Sequence, residues 1–381
     1  MSLEALTEIS RFYGRNGDFV LAGGGNTSWK DGDTLYVKGS GMALADVTPD
    51  SFVRMDRRAL AAIWEKKYPQ ESDERESAVL ADMMAARKAG EERKRPSVEA
   101  LLHDILPFNY VAHLHPALVN GLTCSQRGEA AMAEIFGDEA IWIPSTNPGY
   151  VLSGKVREAM NAYIAKNGGP ALVIFLQNHG VFVGDNGVDG IKEIYGEIMH
   201  KIGAWVKRRP NFSDEDRQNL DSSADPVNKI IMELKELAGG SAIFMRCGEI
   251  APLVKDRESF APVASAFSPD HIVYAGSDPL FAESETVFPE GAFCEAALQK
   301  AWKDHVEKTG LKPKITAIQG MGVFGAAATE KAAGLALDLF RDAVRVSVYS
   351  ESFGGPLFMT RDKIDFINNW EVERFRTNVS T

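Results

Sequence analysis

Short apolar runs alternate along this chain with longer stretches in which apolar residues recur every three or four positions. A buried strand reads as a continuous apolar run, and an amphipathic helix as a 3.6-residue period. A chain that switches repeatedly between the two is committed to an α/β fold, with helices packed on a sheet. Leu3, Leu6, Ile9, Phe12 and Tyr13 mark a first helix, stopped by Gly14 and Gly17. Strands are predicted over 35–38, 110–115 and 140–144, and helices over 97–106 and 155–167. Residues 171–177 and 181–183 read as paired strands around a tight Asn-His-Gly bend. Ile191, Ile194, Tyr195, Ile198, Ile202 and Trp205 then mark an amphipathic helix. Strands over 243–245, 272–275 and 314–319 and a helix over 330–341 repeat this texture, before a Gly-Gly-Pro turn and a last amphipathic helix.

At roughly 100–200 residues per domain, 381 residues allow two or three domains. Residues 208–226, RRPNFSDEDRQNLDSSADP, are polar and punctuated by proline. They read as a linker over 210–226 between domains 1–209 and 227–381, or as a long surface loop with a short helix inside one domain. With 45% hydrophobic and 25% charged residues the chain is not disordered. Its net charge of −11 argues against general nucleic-acid binding. Cys124, Cys247 and Cys294 are too few and too scattered for a disulfide framework. No basic-then-apolar leader and no spanning apolar run is present, so no membrane is expected and the cytoplasm is the expected compartment.

Two of the seven histidines lie in the strand YVAHLHP. Residues i and i+2 of a strand share a face, so His113 and His115 can hold one ion together while Leu114 faces the core. His179 sits in QNHG at the bend after an apolar strand, where functional groups usually appear. Three imidazoles with an open position make a catalytic zinc arrangement. An isolated His-x-His is weak by itself, and the surrounding motifs strengthen it. Upstream, Pro96 and Ser97 start a helix whose first turn carries Glu99, 14 residues before His113. The helix could return into the strand and bring this carboxylate to the metal, or Glu99 could simply complement the helix dipole. His103 lies four residues on, on the same helix face, as a support to the site or as a packed residue.

Two glycine-rich turns, GGGNTS (23–28) and KGSG (38–41), adjoin short strands. Their backbone N–H groups, with Asn and Ser side chains, could approach a phosphate closely. Neither is a Walker loop.

The ordered set GNTS, SG, PSVE, HLHP and NHG resembles the class II aldolase/adducin family, from Gly25 to Gly180. The combination is specific; no single motif is. The resemblance implies a three-layer α/β/α domain with a mixed or antiparallel central sheet, and a homo-oligomer. It implies His113, His115 and His179 as ligands of Zn²⁺ or another divalent metal, and Glu99 as the catalytic carboxylate. Asn26, Ser40, Gly41 and Ser97 match phosphate contacts. Many members have two serines before the glutamate; Val98 here removes one hydrogen bond, for which Lys38 is a candidate substitute. KGSG, PSVEALLH and the ending WEVERFR look closest to the aldolase portion of long rhamnulose-1-phosphate aldolase/short-chain dehydrogenase fusions, without the dehydrogenase. The implied activity is cleavage of a small phosphorylated ketose to dihydroxyacetone phosphate and an aldehyde such as L-lactaldehyde. Epimerases and sugar-acid phosphate decarboxylases of the family share the ligands. A non-enzymatic adducin-like scaffold fits less well, because adducins lack the histidine set.

In the C-terminal part, Gly320, Gly322 and Gly325 form a GxGxxG between a strand and a helix. A dinucleotide site would need an acidic residue about 20 residues on, after a second strand. Asp338 and Asp342 fall within the helix instead. QNHGVFVGDNGVDGIKEIYG and IQGMGVFGAAATEKAAGLALDLF share strand, GVF and helix, with Met321 at the place of His179. RESFAPVASAFSPDHIVYAGSDP similarly parallels RPSVEALLHDILPFNYVAHLHP, with Ala261 for Glu99 and Gly276 with Ser277 or Asp278 for the histidines. The C-terminal α/β domain is therefore expected to be a degenerate copy without its metal.

Overall fold

The computed structural model describes residues 2–219 and 226–372. Their packing divides them into two α/β units, one of residues 2–205 and 365–372, the other of residues 206–364 within that range. The last helix, Arg361–Asn369, thus leads back to the first unit rather than closing the second. The motif WEVERFR lies partly outside the described residues.

Seven strands build the first unit: β1 (Asn26–Asp31), β2 (Thr34–Lys38), β3 (Phe52–Asp56), β4 (Tyr110–Leu114), β5 (Ala140–Ile143), β6 (Val173–Leu176) and β7 (Gly180–Asp185). Their order is β3-β2-β1-β4-β7-β6-β5. Every neighbouring pair is antiparallel except β5 with β6, so the sheet is mixed. Helices cover both faces. On one, Leu152, Val156 and Met160 of helix Tyr150–Asn167 pack with Val111, Ile174, Leu176 and Phe182. On the other, Ile191, Tyr195, Ile198 and Ile202 of helix Val188–Trp205 are buried, and the Tyr195 hydroxyl donates to Ala112 O at 3.0 Å. The first helix runs Leu3–Gly14, as its apolar period predicts. The helix expected from Ser97 begins at Ala100, because 97–99 form a turn in which Ala100 N donates to Ser97 O at 3.0 Å.

β1 carries a buried lysine. Lys30 Nζ donates to Leu106 O and Phe108 O, both at 2.8 Å, pinning the end of helix Ala100–Ile105 to the sheet. Burial pulls its pKa down to about 7, with nearby Asp104 opposing and Arg57 reinforcing the shift. Below that pH both folded and unfolded chains hold the proton. Between it and the unfolded value near 10.5, only the unfolded chain does, so this group makes stability rise with pH. The slope is at most about 1.4 kcal/mol per pH unit. Urea unfolding from pH 7 to 10 should therefore rise less steeply for Lys30→Met than for the wild-type chain; equal slopes would contradict the account.

The second unit has β8 (Asp216–Gln218), β9 (Ser241–Arg246), β10 (Leu280–Ala282), β11 (Ile315–Ile318) and β12 (Gly322–Ala327), in the order β10-β11-β12-β9-β8. Only β10 with β11 is parallel. Strands β8 to β12 therefore repeat β1, β4, β5, β6 and β7 in chain order, neighbours and direction. Register agrees as well. Leu176 pairs with Gly180 and Ile318 with Gly322, while His113 pairs with Phe182 and Phe244 with Phe324. Gln177 and Gln319 occupy the same turn position. Each donates its N–H to a carbonyl at the end of the parallel neighbour at 3.0 Å, and each accepts the N–H of Ser145 or Ser284 on its side-chain oxygen. The C-terminal domain shares the fold of the first.

Two expectations change. The segment 272–275 is no strand: His271–Ala275 is a buried π-helix, and β9 takes the place of β4. The counterparts of His113 and His115 are thus Phe244 and Arg246, not Gly276 with Ser277 or Asp278, and Ala261 is no counterpart of Glu99. Within 210–226, expected as a linker, Asp216–Gln218 pairs with β9 and belongs to the second sheet, while 220–225 lie outside the described residues. The GxGxxG is a hairpin and no phosphate turn: Gly320 occupies the bend at φ 73°, and a Cβ on Gly322 would lie 2.6 Å from the Phe244 ring. Among the described residues, no helix is long and apolar enough to cross a membrane.

Candidate active site

β4 presents His113, and His115 follows one residue beyond its end on the same face. His179 comes from the turn joining β6 to β7. That turn closes because Asn178 adopts φ 59°, which asparagine tolerates, and because His179 N donates to Leu176 O at 3.2 Å. Gly180 permits the crossing: a Cβ there would sit 2.5 Å from Leu114 O and 2.6 Å from the His115 ring. The three Nε2 atoms converge. His113 lies 2.9 Å from His115 and 3.4 Å from His179. His113 Nδ1 sits 3.1 Å from Val181 O and must donate to it, so its Nε2 carries the lone pair. The Phe182 ring stacks on His113 at 4.0 Å and fixes its plane.

Glu99, at the start of helix Ala100–Ile105, is 5% exposed. Its Oε1 lies 3.5 Å from His113 Nε2 and 3.6 Å from His179 Nε2, and has no hydrogen-bond donor. Its Oε2 accepts from Asn26 Nδ2 at 2.6 Å. Three converging imidazole nitrogens, two of them from buried rings and that of His115 half-buried, and an undonated carboxylate oxygen fit a divalent cation. Tetrahedral nitrogens at zinc distance would stand about 3.3 Å apart, close to the 3.4 Å between His113 and His179.

The two glycine-rich turns lie beside these groups. Gly25, at φ 61°, comes so close to β4 that a Cβ would lie 2.9 Å from His113 O. Ser40 N donates to Arg95 O at 2.8 Å and Ser97 N to Lys38 O at 3.0 Å, so these N–H groups already serve the turns themselves. Ser97 Oγ accepts from Glu99 N at 3.2 Å. Lys38 does not present its charge as a substitute phosphate contact: it is 2% exposed, and its Nζ donates to Gly23 O at 3.2 Å and Met42 O at 2.5 Å, tying one turn to the other.

The contact between Asn26 and Glu99 is not legible in the sequence. One hint exists: His103, one helical turn after Glu99, approaches the far side of the Asn26 amide. In the second unit the corresponding place carries no histidine. Phe244 and Phe324, 4.9 Å apart, stand where His113 and Phe182 stack, with Met321 for His179 and Arg246 for His115. None of the three histidines has a histidine counterpart there.

Residues 4–194 match the family model of the class II aldolase and adducin N-terminal domain. The uncharacterized oxidoreductase YuxG of Bacillus subtilis (strain 168) is 22% identical over 421 residues, covering 99% of this chain and 58% of that protein. The chain thus spans 58% of the length of this curated relative. The N-terminal class II aldolase domain of a conserved protein from Thermoplasma acidophilum is 26% identical, with a TM-score of 0.45, over 54% of this chain and 93% of that chain. The L-fuculose-1-phosphate aldolase of Thermus thermophilus is 15% identical, with a TM-score of 0.32, over 53% of this chain and 89% of that chain. The family match takes in every residue of the candidate site, and the chain belongs to the class II aldolase and adducin family.

Proposed function

We propose that this member of the class II aldolase and adducin family is a metal-dependent aldolase that cleaves a ketose 1-phosphate, rhamnulose 1-phosphate or a close analogue, to dihydroxyacetone phosphate and an aldehyde such as L-lactaldehyde. The observation that carries this reading is the meeting of His113, His115 and His179 with the undonated Oε1 of Glu99. A scaffold has no need of three converging imidazoles, two of them buried beside a carboxylate, which favours an enzyme over an adducin-like structural role. The rhamnulose assignment draws on the sequence motifs and on the match to a longer protein named an oxidoreductase, as expected if an aldolase portion is shared with a dehydrogenase fusion.

His113, His115 and His179 would hold Zn²⁺ or another divalent ion. Bound there, the ion supplies Lewis-acid polarisation of a ketone oxygen and of the charge that develops during cleavage. Glu99 lies on the same side as the ligands. Its Oε1 would deliver a proton to the carbon that keeps the electron pair when the carbon–carbon bond breaks, and remove it in the reverse direction. The phosphate would rest against the Gly25–Asn26 turn, Ser40 with Gly41, and Ser97. Because the N–H groups of Ser40 and Ser97 are already engaged, their hydroxyls are the expected contacts. A homo-oligomer is part of the proposal.

A family epimerase or decarboxylase would use the same ligands and differ around the substrate's tail. A zinc-supplemented assay of the full chain across ketose 1-phosphates and sugar-acid phosphates separates them. Release of dihydroxyacetone phosphate from a ketose 1-phosphate is the expected result. Carbon dioxide release or epimer formation without it would replace the aldolase reading.

A further inference from the structure

Ser28, Asn26, Glu99 and His103 form a buried polar chain beside the histidine cluster. Ser28 and His103 are fully buried and Asn26 is 7% exposed. Ser28 Oγ lies 2.7 Å from His103 Nδ1, His103 Nε2 contacts Asn26 Oδ1, and Asn26 Nδ2 contacts Glu99 Oε2 at 2.6 Å. Taking Glu99 as the carboxylate of the proposed aldolase site, we propose that His103 is a positioning residue. Through Asn26, it holds Glu99 with Oε1 turned toward the three histidines.

The direction of every bond follows from the chemistry of the groups. An ionised carboxylate only accepts, so the Asn26 amide must turn its NH₂ to Glu99 and its oxygen to His103. His103 must then donate from Nε2. A neutral imidazole has one N–H, so Nδ1 accepts and the Ser28 hydroxyl donates to it. All three donors point toward the carboxylate. Were His103 to carry its proton on Nδ1, Nε2 would demand a donor and the Asn26 amide would turn over. Its oxygen would then face Glu99 Oε2, and the carboxylate would lose the bond that fixes its rotation. His103 is fully buried, and its hydrogen-bonded path to Glu99 runs through Asn26. The Phe182 ring, which stacks on His113, also sits edge-on to His103 at 5.5 Å and limits its tilt.

The test uses the full chain, its His103→Leu variant, which cannot donate, and its His103→Gln variant, whose amide can. Ring ¹⁵N correlation spectra of the wild-type chain should show His103 as the Nε2–H tautomer. Supports of this kind typically contribute 10–100-fold to activity or metal affinity. His103→Leu should therefore lower kcat by 10–100-fold with KM little changed, and weaken zinc binding, read by competition with a chromophoric chelator, by about tenfold. His103→Gln should recover most of both. An Nδ1–H tautomer would overturn the proposal, and so would zinc affinity and kcat within about twofold of wild type in His103→Leu. If that variant does not fold, the tautomer and His103→Gln decide. Should the wild-type chain cleave no ketose phosphate, the aldolase reading fails by itself, while tautomer and zinc affinity still judge the role of His103.

Discussion

Glu99→Gln is expected to lower exchange of the C–H proton of dihydroxyacetone phosphate by roughly 10²–10⁴-fold, the usual range for a positioned acid/base group. The amide keeps the size of the carboxyl and can stay against Asn26, but it cannot carry the proton back and forth. The three histidines are untouched, so the variant should still take up about one zinc per chain when zinc is in excess, even if it binds less tightly. Exchange by ¹H NMR in deuterated buffer, with metal analysis of the same sample, separates the two effects. Undiminished exchange in a zinc-loaded variant would remove Glu99 from the proton-transfer role. The expectation is sharp because Glu99 Oε1 is 3.5 and 3.6 Å from the Nε2 atoms of His113 and His179 and has no other hydrogen-bond partner.

Removing the metal should have the second large effect. His113 Nε2 lies 2.9 and 3.4 Å from the Nε2 atoms of His115 and His179, so one cation can be held by all three nitrogens, and its binding energy adds to stability by mass action. At a thousandfold excess over Kd the gain is about 4 kcal/mol. Adding Zn²⁺ to chelator-treated protein should therefore raise the unfolding midpoint and restore cleavage. His179→Ala should lose most of both responses, while the chelator-treated variant and wild type unfold at similar temperatures. His179 lies in a turn rather than in the hydrophobic core, so this substitution disturbs packing less than one at His113 would. A midpoint insensitive to zinc in the wild-type chain would count against the site.

Much of this is written locally. His113 and His115 share a face because a strand has period two, and β4 is a strand because Tyr110, Val111, Ala112 and Leu114 can all be buried beside them. The bend at Asn178 announces itself through its Asn-His-Gly composition. What misleads is the run HIVYA. A short apolar run bounded by turn residues fits a buried strand or a buried helical turn equally well, and periodicity cannot choose between them. Here packing against helix Glu330–Ser350 makes it a π-helix, and Ser241–Arg246 supplies the sheet instead. The same ambiguity displaces the counterpart of His113 by 32 positions (276 − 244 = 32), although the shared GVF does align Met321 with His179.

The amino-acid sequence by itself determined the α/β class and put His113 and His115 on one face, because both depend on composition and short-range spacing; that His179 and Glu99 join them came only from the family resemblance. The tertiary structure decided which groups meet. β4 lies between β1 and β7, strands far from it in the chain, so Asn26, Glu99, His103, His113 and His179 reach one point although 153 positions separate the first from the last (179 − 26 = 153). It also decided that Lys38 turns its charge inward to two carbonyls and that Asn26 holds Glu99. Buried polar groups must find partners, and which partners are within reach is set by sheet order and burial rather than by distance along the chain.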